Sequence, residues 1–223
     1  MMLKTRSLIR KLAGSRKGQS VVEFAVALPF LALMSMGTFA VGMMIDRHLT
    51  LTQVVRNGGN MFARGIDFSS SQNKKFIISA ATGLELKLDG TGRSAVYFSK
   101  LTRVPANAIC DTGGGPRDCA NNGKVVIQER YMIGKTGPSN MASKLGMPSS
   151  FIDENGQSAT EGEHADHFDL PEAVASGAPA SIAGAGGILE NEQIYVVEIL
   201  HEPVSLSFSG IFSPEMIYTR GFF

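Results

Sequence analysis

The chain has 223 residues, a formal net charge of +1, 43% hydrophobic and 18% charged residues, and two cysteines. A disordered chain would be poorer in apolar residues and more highly charged, so this length and composition predict a chain that buries a real core. A net charge near zero, with no basic stripe after residue 18, argues against a nucleic-acid-binding protein.

The first 18 residues form a basic leader. They hold six cationic side chains and no acidic one: Lys4, Arg6, Arg10, Lys11, Arg16 and Lys17. Positive charge on one flank of an apolar segment keeps that flank in the cytoplasm, so we expect the residues beyond the segment to lie outside the inner membrane. An ordinary secretory signal has an apolar run of only about 7–15 residues, followed by a small-x-small cleavage site. The apolar run here is longer and no clean site of that kind follows it, so a secretory signal is disfavoured.

The apolar segment follows directly. From Phe24 to Ile45 there is no charged side chain, and a helix of this length spans about 33 Å, enough to cross a hydrocarbon core of about 30 Å. Pro29 lies inside it and predicts a kink or a locally loosened turn. Glu23 stands at its mouth, where an ionisable group either marks the interface or is kept for a partner.

The junction between leader and helix carries a recognisable pattern. It reads Lys17-Gly18-Gln19-Ser20-Val21-Val22-Glu23-Phe24, followed by Ala27-Leu28-Pro29. This pattern resembles the class III leader of type IV pilin-like proteins. More narrowly, it resembles the TadE/TadF-like minor pilins (pseudopilins) of the tight-adherence, or Flp-type, pilus. The resemblance implies cleavage by a prepilin peptidase between Gly18 and Gln19, which makes Glu23 the fifth residue of the mature chain.

The same resemblance implies a function in pilus assembly, secretion and surface adhesion, with Glu23, Phe24 and Pro29 in the assembly helix. The implied partners are the prepilin peptidase, other major and minor pilins, the inner-membrane assembly platform and the lipid bilayer. The implied location is a bacterial inner membrane, crossed once, with the N-terminus cytoplasmic and the head periplasmic or carried into an extracellular pilus. Whether the role is TadE-like or TadF-like stays open.

Charge supports this reading of the junction. Cleavage removes all six leader cations and creates a new amine on Gln19, which would lie near Glu23 of a neighbouring subunit. In a low dielectric such a pair is strongly attractive, whereas either charge alone is penalised. The alternative is an uncleaved, single-pass, membrane-anchored receptor or binding protein.

Beyond the membrane segment the pattern becomes that of an ordinary globular domain. We expect the first helix to run to about Arg56 and then bend or restart, because the cluster Asn57-Gly58-Gly59-Asn60 should break it. The predicted organisation is a leader over 1–18, a membrane and assembly helix over 19–56, and an extracytoplasmic head over 57–223. Helical spacing predicts a second helix over 72–87, with an N-cap among Ser69–Ser71.

Strand patterns complete the head. The strands are expected at 95–104, 124–133 and 193–200, with 201–208 as a prolongation or a further strand. These elements predict an α+β fold: a long N-terminal transmembrane helix, then a small head with an antiparallel sheet of three or four strands and a packed helix. Residues 134–190 are rich in Gly, Ala and Ser and predict an excursion from this domain.

Few residues in the head suggest chemistry. Cys110 and Cys119 would form a disulfide in an oxidising compartment, closing a loop worth roughly 2–3 kcal/mol. His164, Asp166 and His167 are weak metal candidates within an acidic loop, because their spacing matches no common zinc pattern. With no phosphate loop and no GxSxG motif, we expect no enzyme activity and no cofactor.

Overall fold

One long helix begins the described chain. The computed structural model describes residues 19–111, 116–118, 122–123, 125–135, 139–145, 192–203 and 216–223. Helix α1 runs from Gln19 to Ala63, and the chain divides into two units, residues 1–46 and residues 47–223, so that α1 contributes to both. The long N-terminal helix expected from the apolar run is confirmed.

The second unit, called the head below, is built on an antiparallel sheet. Its elements are helix α2 (Ser71–Ala80), strands β1 (Ser94–Arg103), β2 (Ile109–Asp111), β3 (Pro116–Asp118), β4 (Val125–Gly134), β5 (Gln193–His201) and β6 (Ile217–Phe222), and a 3-10 turn (Ser139–Met141). Strands β4-β1-β5-β6 pair in that order, and β2 pairs separately with β3. The predicted α+β class is confirmed.

Strand β1 lies inside the sheet, between β4 and β5. Both neighbours come from apolar segments that are distant in sequence. Phe98 lies opposite Tyr131 of β4 and Val197 of β5, and all three are buried. Successive strand residues point to opposite faces, so one face of the sheet carries Phe98 and the other carries Tyr97. Each face therefore needs its own cover.

The first face is covered by the end of α1 and by α2. Buried side chains from α1 (Leu51, Val54, Val55 and Phe62) join those of the sheet in one cluster. The Phe62 ring lies 5.8 Å from that of Phe98 and 5.1 Å from that of Tyr195, both edge-on, while Phe68 stacks on Phe98 at 4.2 Å. Such pairs stabilise beyond the apolar area they bury.

Helix α2 begins where the sequence predicts and ends earlier. The Ser70 hydroxyl accepts a hydrogen bond from the Gln72 amide at 3.3 Å, which confirms the predicted N-cap. The helix stops at Ala80 rather than at residue 87. The cause lies at Gly83, where φ of +84° reverses the chain and turns Leu84 into the core.

The predicted end of α1 near Arg56 is wrong, since the helix continues through the glycine pair to Ala63. A Cβ on Gly58 would lie 2.9 Å from the Phe98 ring, and one on Gly59 would overlap the ring of Phe223. These glycines allow the helix to approach the sheet closely, and that packing outweighs their cost in helix propensity of about 1 kcal/mol each.

The sequence pattern predicts some of the six strands and misses others. Strands β1, β4 and β5 lie within one or two residues of their expected bounds. The segment expected over 201–208 is a strand only at His201, and residues 204–208 lie outside the described residues. Strand β6, and the pairing of β2 with β3 in the expected cysteine loop, were not predicted.

Candidate assembly site on the N-terminal helix

The predicted assembly residues fall in the first turns of α1. Gly18 lies outside the described residues, Gln19 is the first helical residue, and Glu23 and Phe24 follow one turn later, both exposed. Four residues of helix advance about 6 Å and return to the same face. The backbone nitrogen of Gln19 and the side chain of Glu23 therefore share one edge of the helix end.

From Phe24 to Ile45 α1 presents a predominantly apolar surface without a charged side chain. Its exposed large side chains lie on every side of the helix: Phe24, Val26, Leu28, Phe30, Leu31, Leu33, Met34, Met36, Phe39, Val41, Met44 and Ile45. A helix that is apolar all round belongs in a membrane or in the core of an assembly. Length and composition make this the one helix among the described residues that could cross a membrane.

Polar groups within this segment are satisfied by the helix itself. The Ser35 hydroxyl donates to the Ala32 carbonyl at 3.1 Å, and the Thr38 hydroxyl donates to the Met34 carbonyl at 2.9 Å. A hydroxyl bonded to its own backbone presents no donor to lipid. The segment is thus chemically suited to a bilayer despite its serine and threonine.

Pro29 interrupts the backbone hydrogen bonds of α1 once without ending the helix. Because proline has no amide hydrogen, the carbonyl of Ala25 lacks its normal i+4 donor. Gly37 and Gly42 add two positions where a Cβ would meet nothing within 4 Å. The apolar segment therefore offers one loosened turn and two points of close backbone access.

Where α1 enters the head, a buried histidine joins three elements. The Ser94 hydroxyl donates to the Leu84 carbonyl at 2.5 Å and lies 2.8 Å from Nδ1 of His201. Since that hydroxyl has only one hydrogen, Nδ1 must carry the proton of the neutral imidazole. Burial lowers the pKa of His201, and the charge of Arg47 on α1 lowers it further.

The second face of the sheet holds a buried acid. The Glu198 carboxylate accepts hydrogen bonds from the Ser143 hydroxyl, from the Lys144 amide at 3.1 Å and from the Tyr218 hydroxyl at 2.7 Å. Burial, followed by the nearby Glu198 charge, raises the pKa of Tyr218. This carboxylate therefore fastens residues 143–144 to the sheet.

An arginine accompanies this acid. Burial lowers the pKa of Arg130 to about 10, and the Glu198 charge opposes that shift. Its Nε donates to the Ser99 hydroxyl at 3.0 Å, and its guanidinium lies 5.9 Å from the ring centre of Tyr97. Each polar contact of Glu198 and Arg130 joins neighbouring parts of the head, so we interpret these contacts as structural.

Sequence reasoning missed this pair, although a charged residue inside an apolar strand was a usable signal. Glu198 interrupts the run Gln193–Leu200, and Arg130 interrupts Val125–Ile133. Their meeting depends on strand order, which no local pattern reveals.

The remaining predicted sites stay predictions. Cys110 lies in β2, but Cys119 lies outside the described residues, as do His164, Asp166 and His167. Within the part of the chain that the structure describes, no group of three or more His, Cys, Asp or Glu side chains could hold a metal ion.

Comparison with known families finds one match, over the N-terminal helix. Residues 18–59, less than a fifth of the chain, match the family model described as TadE-like protein. No curated protein and no solved structure matches the chain. The resemblance predicted from the junction is confirmed over this segment, which begins at Gly18 and includes Glu23.

Proposed function

We propose that the chain is a minor pilin of the tight-adherence pilus, a structural protein rather than an enzyme. The main support for this proposal is that the family match and the exposed apolar helix occupy the same residues. The TadE-like match over residues 18–59 coincides with the helix that is exposed and apolar in its first half and packed into the head from Leu51 onward. Such a helix can anchor the chain in a bilayer before assembly and contact other pilins after it.

Maturation would proceed by cleavage between Gly18 and Gln19 at the cytoplasmic face. The peptidase must accommodate the backbone just before Gln19, and a side chain at residue 18 would obstruct it. Cleavage also removes the basic leader, which otherwise holds the N-terminus in the cytoplasm. The proposed partners are therefore a prepilin peptidase, other pilins and an inner-membrane assembly platform.

The test is the mass of the chain recovered from membranes of cells that hold a tight-adherence prepilin peptidase. We expect the wild-type chain to begin at Gln19 and the Gly18→Val variant to remain a full-length precursor in the inner membrane. Gly37→Val is the matched control, since a Cβ there meets nothing and it lies far from the junction. An intact leader on the wild-type chain would favour the anchored receptor instead, and normal cleavage of Gly18→Val would refute the peptidase assignment.

A further inference from the structure

One end of the head is joined directly to the apolar segment. That segment ends at Ile45, and the head begins at Arg47. The charges of Arg47, Glu85 and Arg93 all act on the imidazole of His201, so these groups are neighbours. The turn that carries Glu85 and Arg93 is therefore at the end of the head from which the chain continues into the apolar helix.

This junction turn, residues 84–93, is held by its own bonds. The Arg93 amide donates to the Glu85 carbonyl at 3.0 Å, and the two side chains form an ion pair at 3.5 Å. The Asp89 carboxylate accepts hydrogen bonds from the Thr91 amide at 3.0 Å and from its hydroxyl at 2.7 Å. The acidic groups of the turn are thus engaged within it.

The tip of the junction turn has a different character. Lys87 and Leu88 are both exposed, and Leu88 leaves 44% of its surface open. Lys87 lies two residues from Asp89, and its charge helps to lower the pKa of that carboxyl. An apolar side chain beside a long cation is the combination that suits a lipid surface, where the alkyl part is buried and the ammonium stays with phosphate.

We propose that the junction turn rests on the phospholipid bilayer, with Leu88 in the acyl boundary and Lys87 at the lipid phosphates. Only Asp46 separates the apolar segment from the head, so no linker holds this end of the head away from the surface. The contact rests on the proposed function in one respect, since it requires α1 to lie in a bilayer. It would orient the head on the membrane before a subunit is taken into a fibre.

The chain contains no tryptophan, so single indoles can report on this contact. Three full-chain variants are reconstituted into vesicles containing brominated lipids: Leu88→Trp at the tip, Phe30→Trp in the apolar segment, and Phe76→Trp as the matched control. Phe76 is 57% exposed, and its neighbour Ile77 contacts α1 at Gly58. Gly58 lies about 16 Å along the helix beyond Arg47, so this indole serves as the control for a site remote from the junction turn.

We expect the bromines to quench Phe30→Trp strongly, Leu88→Trp by about half, as for an indole at the acyl boundary, and Phe76→Trp not at all. Quenching of Phe30→Trp without quenching of Leu88→Trp would overturn the contact and leave the anchor intact. Failure to quench Phe30→Trp would overturn both. Equal quenching at Leu88 and Phe76 would overturn the specific role of the junction turn.

A second measurement avoids any affinity of the indole itself for the interface. In the wild-type chain, we expect amide exchange over residues 86–91 to be slower in anionic vesicles than in detergent. Removing one cation near an anionic surface lowers the ratio of docked to free turns about five-fold. Lys87→Gln should therefore restore faster exchange, whereas Lys75→Gln on α2 should not. Unchanged exchange in Lys87→Gln would refute the phosphate contact.

Discussion

At the scale of single residues, Gly58 and Gly59 decide how closely α1 approaches the sheet. Glycine inside a helix is normally a liability, and the sequence pattern alone predicts a break there. Here the missing side chains make room for the rings of Phe98 and Phe223. The glycine pair is thus a packing feature, in which two small residues admit two large ones.

Replacing Gly58 tests this interpretation. Gly58→Val gains a few tenths of a kcal/mol in helix propensity, but its methyl groups meet Phe98 and Ile77, both of which are buried and cannot move away. Overpacking of this kind costs about 2 kcal/mol. We expect a lower free energy of unfolding for the head in detergent, measured by denaturant titration. Gly42→Val, at an open position, should leave that value unchanged, and an unchanged Gly58→Val would contradict the packing role.

His201 makes the head sensitive to mild acid. Its pKa is lowered in the folded state, so the folded chain binds its proton less readily than the unfolded chain. Stability is therefore full above the unfolded pKa of about 6.5 and falls as the pH drops from there through the folded pKa. We expect the free energy of unfolding to decline as the pH falls below about 6.5.

The matched variant is His201→Asn, whose amide can still donate to Ser94 but has no proton to gain. It should flatten the decline in that window, whereas His48→Asn, at an exposed histidine, should preserve it. A decline of equal slope in His201→Asn would assign the effect to other groups. The low pKa values of Asp67 and Asp89 place their own losses near or below pH 3.8, outside the window.

At the scale of elements, the second sheet face depends on one carboxylate. Glu198 accepts three hydrogen bonds and lies near the Arg130 charge, and it is wholly buried. Removing the Glu198 carboxylate leaves the three groups that donate to it without an acceptor. Glu198→Ala should therefore cost about 3–5 kcal/mol, which is a large part of the stability of a small domain.

Tyr218→Phe is the informative partner of this variant. It removes one donor and leaves two, so the expected loss is about 1 kcal/mol. Denaturant titration gives both values, and proteolysis of residues 139–145 should accelerate far more in Glu198→Ala. Equal losses in the two variants would show that the carboxylate does not act as the common anchor.

Some elements of the fold could be predicted from local sequence, and others could not. The N-cap at Ser70 and strands β1, β4 and β5 follow from local residue types, and their bounds come within a few residues. Strand β6 was missed because Arg220 and Gly221 interrupt its β-forming residues, and the strand is held by pairing with β5. The junction residues Gly18 and Glu23 stay predictions that rest on a resemblance to the class III pilin leader, whereas the proximity of Glu198 and Arg130 depends on which strands are neighbours.

At the scale of the whole molecule, one helix carries two surfaces in different surroundings. Residues 20–42 are exposed and almost wholly apolar, whereas Leu51, Val54 and Val55 are buried in the head. The same element is therefore part of the core and, under the proposed function, both membrane anchor and assembly surface. The head cannot be freed from this helix without losing core side chains, so soluble versions that begin after residue 56 should be unstable.

Glu23 separates assembly from anchoring. If it only marks the membrane boundary, Glu23→Ala should insert, be cleaved and assemble as the wild type does. If it pairs with the new amine of Gln19 on an adjacent subunit, the variant leaves that cation without its partner in a poorly solvated place. Loss of one member of a buried pair costs about 3–5 kcal/mol, and less where water reaches it.

We expect Glu23→Ala to be cleaved and to remain in the membrane, because both steps precede contact between subunits, and to be depleted from sheared fibres and from cross-links to other pilins. Glu23→Gln keeps the shape without the charge and should fail in the same way, whereas Ser20→Ala at the same end of α1 should assemble normally. Because the variant helix stays apolar and inserted, a loss confined to the fibre fraction places the defect after insertion and cleavage, and reduced cross-links to other pilins assign it to contact between subunits. Wild-type amounts of both Glu23 variants in fibres would refute the pairing and shift the interpretation towards a plain membrane-anchored protein.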